Sequence, residues 1–83
     1  MMNEKDIMDK IRADFREVFA DDTPLTRDSK PGDIKAWDSM GQIRFLAKLE
    51  KTFGVKFKMK DLVTFRSIGN IADGIAKLLG SSK

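Results

Sequence analysis

An all-α fold is predicted, a small bundle of three main helices and one short helix with a long first loop, and three observations predict it. Apolar residues recur every three or four positions in three separate stretches, the period of an amphipathic helix. Helix-breaking residues gather between those stretches rather than within them. The one strand-like segment, Gly54 to Lys58 with Val55 and Phe57, is too short and too isolated to build a sheet.

The first helix is expected from about Asn3 to Ala20. Ile7, Ile11, Phe15, Val18 and Phe19 share its apolar face. Asn3 is a natural N-cap, and Glu4 and Asp6 suit the positive end of the helix dipole. Asp21 to Asp38 then forms a long connection. Pro24 and Pro31-Gly32 interrupt helix, Thr23, Thr26 and Ser29 favour turns, and Leu25, Ile34 and Trp37 are its apolar anchors.

The second helix is expected from Ser39 to Phe53, closed by Gly54 in the left-handed conformation that glycine tolerates. Ile43, Phe45, Leu46, Leu49 and Phe53 form a broad face assigned to the core. A short third helix follows at Met59 to Thr64 with Leu62 and Val63 turned inward. Ser67 caps a fourth helix in which Ile68, Ile71, Ala72, Ile75, Leu78 and Leu79 keep helical spacing. Gly69 and Gly74 are each expected to weaken it by about 1 kcal/mol relative to alanine, and Gly80 to end it. Met1-Met2-Asn3-Glu4 reads as a native start, and Gly80-Ser81-Ser82-Lys83 as a frayed tail beyond an ordered core of about 3–79.

A chain of 83 residues holds one domain and one core. It has no cysteine and no histidine, which removes thiolate chemistry, the commonest general base and the commonest metal ligand. No paired-carboxylate site stands out, so no catalytic residue and no metal site is expected, and the chain is not read as an enzyme. No apolar run reaches the length of a membrane span, and no signal-peptide core is visible. The absence of cysteine fits a cytoplasmic location.

The residue that stands out is Ser39, in Trp37-Asp38-Ser39-Met40, where the second helical pattern begins. First-turn backbone N–H groups lack intrahelical partners, and the dipole favours an anion there. A hydroxyl at that place suits covalent attachment of a negatively charged group. The plainer reading is that Ser39 or Asp38 is only an N-cap. A second Asp-Ser pair, Asp28-Ser29, is followed by Lys30-Pro31-Gly32 and cannot open an amphipathic helix. Helix context therefore singles out Ser39.

Over nearly its whole length the chain resembles the acyl carrier protein family. The likeness lies in the length, the first helix, the long loop, Asp38-Ser39-Met40 opening the second helix, Phe53-Gly54 closing it, and Ser67-Ile68 opening the last. The resemblance implies one carrier domain over 1–83, with 4′-phosphopantetheine joined to Ser39 through a phosphodiester. It gives Asp38 the part of the acidic residue that assists arm transfer by the phosphopantetheinyl transferase. Met40 replaces the usual leucine, a change of similar volume. The cargo would be an acyl thioester for fatty acid, specialised lipid or polyketide-type biosynthesis. The implied partners are acyl-activating, ketosynthase or acyltransferase-type enzymes served by a monomeric carrier. An aminoacyl or peptidyl carrier is the nearest alternative, although Lys35-Ala36-Trp37 lacks the glycines usual before the serine in that group. A helical interaction module without the arm is a further alternative.

Charge departs from the family's habit. Acyl carriers are usually acidic along the second helix, whereas residues 39–60 here carry six Lys or Arg against one acidic residue. Arg44, Lys48 and Lys51 fall within about 60° of one another at 100° per residue, with Met40 and Ala47 on their flank. These five residues are read as a partner-docking surface for enzymes with an acidic patch, the alternative being a solvated face. Three cations in line without interleaved aromatics make a poor nucleic-acid site. Trp37 reads as a partly buried loop anchor, or else as a wall for the arm. Lys56, Lys58 and Lys60 read as solvated, with Phe57 and Met59 turned inward, or else as an extension of the docking patch.

Overall fold

The computed structural model describes residues 3–80, and within them the chain forms four helices and no strand. They are α1 (Glu4–Phe19), α2 (Ser39–Phe53), α3 (Met59–Thr64) and α4 (Ile68–Gly80). α1 packs against both α2 and α4. Residues 81–83, most of the expected tail, lie outside the described residues, while Gly80 is the last residue of α4.

Local chemistry explains the boundaries. Asn3 caps α1 by accepting from the Asp6 N–H at 2.9 Å, and Ser67 caps α4 by accepting from the Asn70 N–H at 3.2 Å. Each side chain satisfies a donor that the first helical turn leaves open. Gly54 ends α2 at φ 67°, and its N–H returns to the Glu50 carbonyl. A side chain at that φ would crowd the backbone, so glycine suits the position. Ala20 ends α1 at φ 52° without that relief.

The core is one apolar cluster drawn from α1, the long loop, α2 and α4. Ile7, Ile11 and Phe15 meet Phe45, Leu46 and Leu49 across α1 and α2, while Ile68, Ile71 and Ile75 close it from α4. Met8 also joins the cluster. Leu25, Ile34 and Trp37 pin the long loop onto it, and all three are buried. Trp37 is more deeply buried than expected, with no exposed surface. Its ring lies edge-on to Phe15 at 5.2 Å and to Phe45 at 6.0 Å. Such pairs add about 0.5–1.5 kcal/mol beyond the area they bury. Among the described residues the one buried charged side chain is Asp14, which accepts a hydrogen bond from the Thr52 hydroxyl and so links α1 to α2.

Four apolar residues expected inside lie outside. Ile43 is 65% exposed, Met59 79%, Leu62 43% and Val63 67%, and α3 buries no residue. Helical spacing shows which residues share a face, but a six-residue helix is too short to be covered along its length. Phe57 does turn inward, edge-on to Phe65 at 5.0 Å.

An alanine at Gly74 or Gly69 would meet close neighbours. A Cβ on Gly74 would stand 2.6 Å from the Phe65 ring, and one on Gly69 3.0 Å from the Arg27 carbonyl oxygen. These glycines let neighbouring chain approach α4, and the crowding a methyl would cause there opposes the helix propensity that alanine would add.

The loop's first half is tied at both ends. Arg27 donates two hydrogen bonds to Asp73 of α4, at 2.8 and 3.0 Å, and a third to Glu4 of α1. Its carbonyl accepts from the Gly69 N–H at 2.8 Å, while Ser29's accepts from Ile68. Hydrogen bonding to Asp73 pushes the Arg27 guanidinium's pKa still higher. At the loop entry, the Thr23 hydroxyl and then its backbone N–H hold the Asp21 carboxyl below the usual range.

Candidate functional site

The site is built where the long loop becomes α2. Backbone bonds fold the loop's end into tight turns: Asp33 N–H to the Lys30 carbonyl at 3.0 Å, and Trp37 N–H to the Ile34 carbonyl at 2.9 Å. The Asp33 carboxylate accepts from the Lys30 N–H at 3.0 Å. With Trp37 driven into the core, the next two residues emerge at the surface.

Asp38 is the N-cap of α2. Its extended backbone (φ −99°, ψ −169°) lets the carboxylate accept from the Gly41 N–H at 2.8 Å, while its carbonyl accepts from Gln42 at 2.8 Å. The cap belongs to Asp38, so Ser39 stands free at the first helical position. Among the described residues its hydroxyl makes no hydrogen bond, and it is exposed. Gly41 lets the helix start lie close to the end of α1. A Cβ there would fall 2.5 Å from the Phe19 ring and 2.8 Å from the Ala36 carbonyl oxygen.

An open cleft of about 680 Å³ lies beside Ser39, walled by Pro31, Ile34, Trp37, Ile43, Leu62 and Phe65. A second cleft of about 400 Å³ continues between α2 and α3, lined by Leu46, Ala47, Phe57 and Leu62. Gln42, Ile43 and Leu62 border both. The Gln42 side chain accepts the Trp37 indole N–H at 2.6 Å and donates to the Phe65 carbonyl at 3.3 Å. Gln42 was missed in the sequence, yet it left a signal. It lies four residues before Leu46 and seven before Leu49, which places a polar side chain on the apolar face of the helix.

The second Asp-Ser pair is consumed by structure. Ser29 Oγ accepts from the Thr26 N–H at 2.9 Å, inside a turn. Along α2, Arg44, Ala47, Lys48 and Lys51 come together around a shallow depression of about 330 Å³, with Met40 exposed nearby on the same helix. Lys48 is half-buried and pairs with Glu17 of α1 at 3.2 Å, so its charge is partly answered within the molecule. Leu62, expected in the core, instead lines the clefts.

The sequence profile of the phosphopantetheine attachment site matches residues 37–75, from the last loop residues into α4. The chain is similar to a holo acyl carrier protein from Geobacter metallireducens, known by solution NMR. Identity is 35%, covering 89% of this chain and 86% of that one, with a TM-score of 0.83. No curated protein sequence matches the chain. Fold, profile and structural likeness together define a phosphopantetheine-binding helical carrier. The chain belongs to the acyl carrier protein family. It is a carrier and not an enzyme, and its cofactor is covalently attached 4′-phosphopantetheine.

The residues present fit that group. An exposed hydroxyl without an internal partner stands at the start of α2, and an open cleft with a largely apolar wall runs from it. Among the described residues, the Ser39 and Met40 N–H groups form no backbone bond outside the helix. They leave a positive helix end near where a phosphate would sit.

Proposed function

We propose that the chain is one discrete carrier domain and that Ser39 bears the 4′-phosphopantetheine arm through a phosphodiester. The arm's thiol carries an acyl group as a thioester, which activates that group toward nucleophiles. Partner enzymes of fatty acid, specialised lipid or polyketide-type biosynthesis receive it. The observation that carries the reading is the free Ser39 hydroxyl at the first position of a helix whose cap is already supplied by Asp38.

The chain's own residues position and shelter. Trp37, locked in the core, fixes where Ser39 emerges. Asp38 keeps the helix start in register and sets a carboxylate beside the serine, where it can assist the transferase. Ile43, Leu46, Phe57 and Leu62 offer apolar walls along which an acyl chain can leave water. Tethering the cargo raises its effective concentration at each partner's active site.

Docking is assigned to Met40, Arg44, Ala47, Lys48 and Lys51, the charge pattern calling for partners with an acidic patch. These are the phosphopantetheinyl transferase and acyl-activating, ketosynthase or acyltransferase-type enzymes, met by a monomeric carrier in the cytoplasm. Arg44 and Lys51 supply most of the attraction, because Lys48 already faces Glu17.

Intact mass after incubation with coenzyme A and a promiscuous phosphopantetheinyl transferase tests the attachment. One added phosphopantetheine on the wild type and none on Ser39→Ala is expected. An unmodified wild type, or a label on another residue, would overturn the proposal.

A further inference from the structure

Gln42 is held in one orientation by its neighbours. An indole N–H can only donate, so the Gln42 atom that meets Trp37 Nε1 at 2.6 Å must be the carbonyl oxygen. The amide nitrogen is thereby turned the other way, where one of its protons reaches the Phe65 carbonyl at 3.3 Å. A primary amide has two N–H donors. Among the described residues, the second has no acceptor.

This donor stands at a junction. Gln42 borders both the cleft beside Ser39 and the cleft that continues between α2 and α3. Its neighbours at the shared boundary, Ile43 and Leu62, are apolar and exposed, so the amide is the one hydrogen-bonding side chain common to both clefts. A half-buried donor flanked by apolar side chains is worth more to an acceptor than one in open water.

We propose that the free N–H of Gln42 is a binding site for a carbonyl oxygen on whatever occupies the cleft. Resting on the attachment of the arm to Ser39, this assigns the cleft a polar contact as well as apolar walls. Three carbonyls can supply the acceptor: an amide of the arm, the thioester itself, or an oxo group on the third carbon of the acyl chain. They share one chemistry and differ in the loading state at which the contact first forms.

The test uses the full-length protein, its loading on Ser39 first confirmed by intact mass, in four states: unmodified, arm-bearing, octanoyl-loaded and 3-oxooctanoyl-loaded. The arm and cargo carry ¹³C at their carbonyls. The Gln42 side-chain N–H resonances and the carbonyl resonances are read by NMR. One Gln42 N–H proton is expected to move downfield in step with one carbonyl carbon. The state in which this first happens names the source. Gln42→Glu keeps an acceptor for Trp37 but, as a carboxylate, has no hydrogen-bond donor at neutral pH. In that variant the carbonyl shift should be lost while the Trp37 indole N–H resonance stays dispersed, reporting an intact fold. Gln42 resonances unchanged through all four states would overturn the proposal, as would a carbonyl shift that survives in Gln42→Glu. Failure of the loading step would instead count against attachment at Ser39, so the two failures are told apart.

Discussion

Trp37 and Gln42 are joined by a hydrogen bond from the indole N–H to the amide oxygen at 2.6 Å, so the last turn of the loop and the first turn of α2 are held as one piece. The indole is fully buried, and among the described residues its N–H has no other partner. Gln42 also reaches the carbonyl of Phe65, which follows α3. One amide thus spans three segments around the candidate site.

Replacing Gln42 with methionine, of similar volume, should leave the buried indole N–H without an acceptor. The loss of stability expected for an unsatisfied buried donor is about 1–3 kcal/mol. In a domain of this size, each kcal/mol lowers Tm by roughly 4–8 °C. Thermal unfolding followed by circular dichroism measures it. A Tm within a degree or two of wild type would show that water reaches the indole.

Asp38 and Ser39 should separate stability from loading. Asp38→Ala removes the cap of α2 and should cost about 1 kcal/mol. Asp38→Asn keeps an acceptor for the Gly41 N–H and should lose much less. Ser39→Ala removes a hydroxyl that makes no internal hydrogen bond, so its urea midpoint should stay close to wild type while all loading disappears. Loading by mass and unfolding in urea, run on the three variants, check both halves. If Asp38→Asn proved as unstable as Asp38→Ala, the cap would not be the carboxylate's structural contribution.

Most helix ends were legible because their causes are local. Asn3, Asp38 and Ser67 each satisfy an N–H three residues on, and Gly54 takes a left-handed turn, so a few neighbouring letters suffice. The start of α2 at Ser39 was legible for the same reason, since Lys30-Pro31-Gly32 rules out a helix start after Ser29. What covers a face is a long-range matter. Ile43, Leu62, Val63 and Met59 lie outside because nothing in the described chain packs over them, and periodicity carries no information on that. The pairing of Lys48 with Glu17 and the reach of Arg27 to Asp73 join residues far apart in sequence. Gln42 lies between: its polar side chain on an apolar face was visible, but its partners came only from the folded chain.

Gly41 is expected to resist even the smallest enlargement. The Phe19 ring could swing away from an added methyl, but the Ala36 carbonyl oxygen at 2.8 Å is backbone and cannot yield without moving the loop that positions Ser39. Overpacking of this kind costs about 1–3 kcal/mol, more than the roughly 1 kcal/mol that alanine gains in helix propensity. Gly41→Ala should therefore unfold at lower urea concentration than wild type and load more slowly. A stabilised variant would mean that the start of α2 can slide away from α1.

Charge reversal at Arg44→Glu/Lys51→Glu is the sharpest test of docking. Both side chains are exposed on α2, and neither forms an ion pair among the described residues. Stability should therefore change little, since exposed charges contribute about 0–1 kcal/mol. Partner use should change much more. Like-charge contact at an interface costs several kcal/mol, and steering between opposite charges raises association rates at low salt. Transfer of cargo to a partner with an acidic patch should slow strongly at low ionic strength and converge toward the wild-type rate as salt screens the surface. Transfer to enzymes whose docking patch is basic should improve. Lys48→Ala serves as the internal contrast, because its ammonium already faces Glu17 at 3.2 Å. It should weaken docking least of the three cations. Equal rates for wild type and the double reversal at every salt concentration would reduce the stripe to a solvated face.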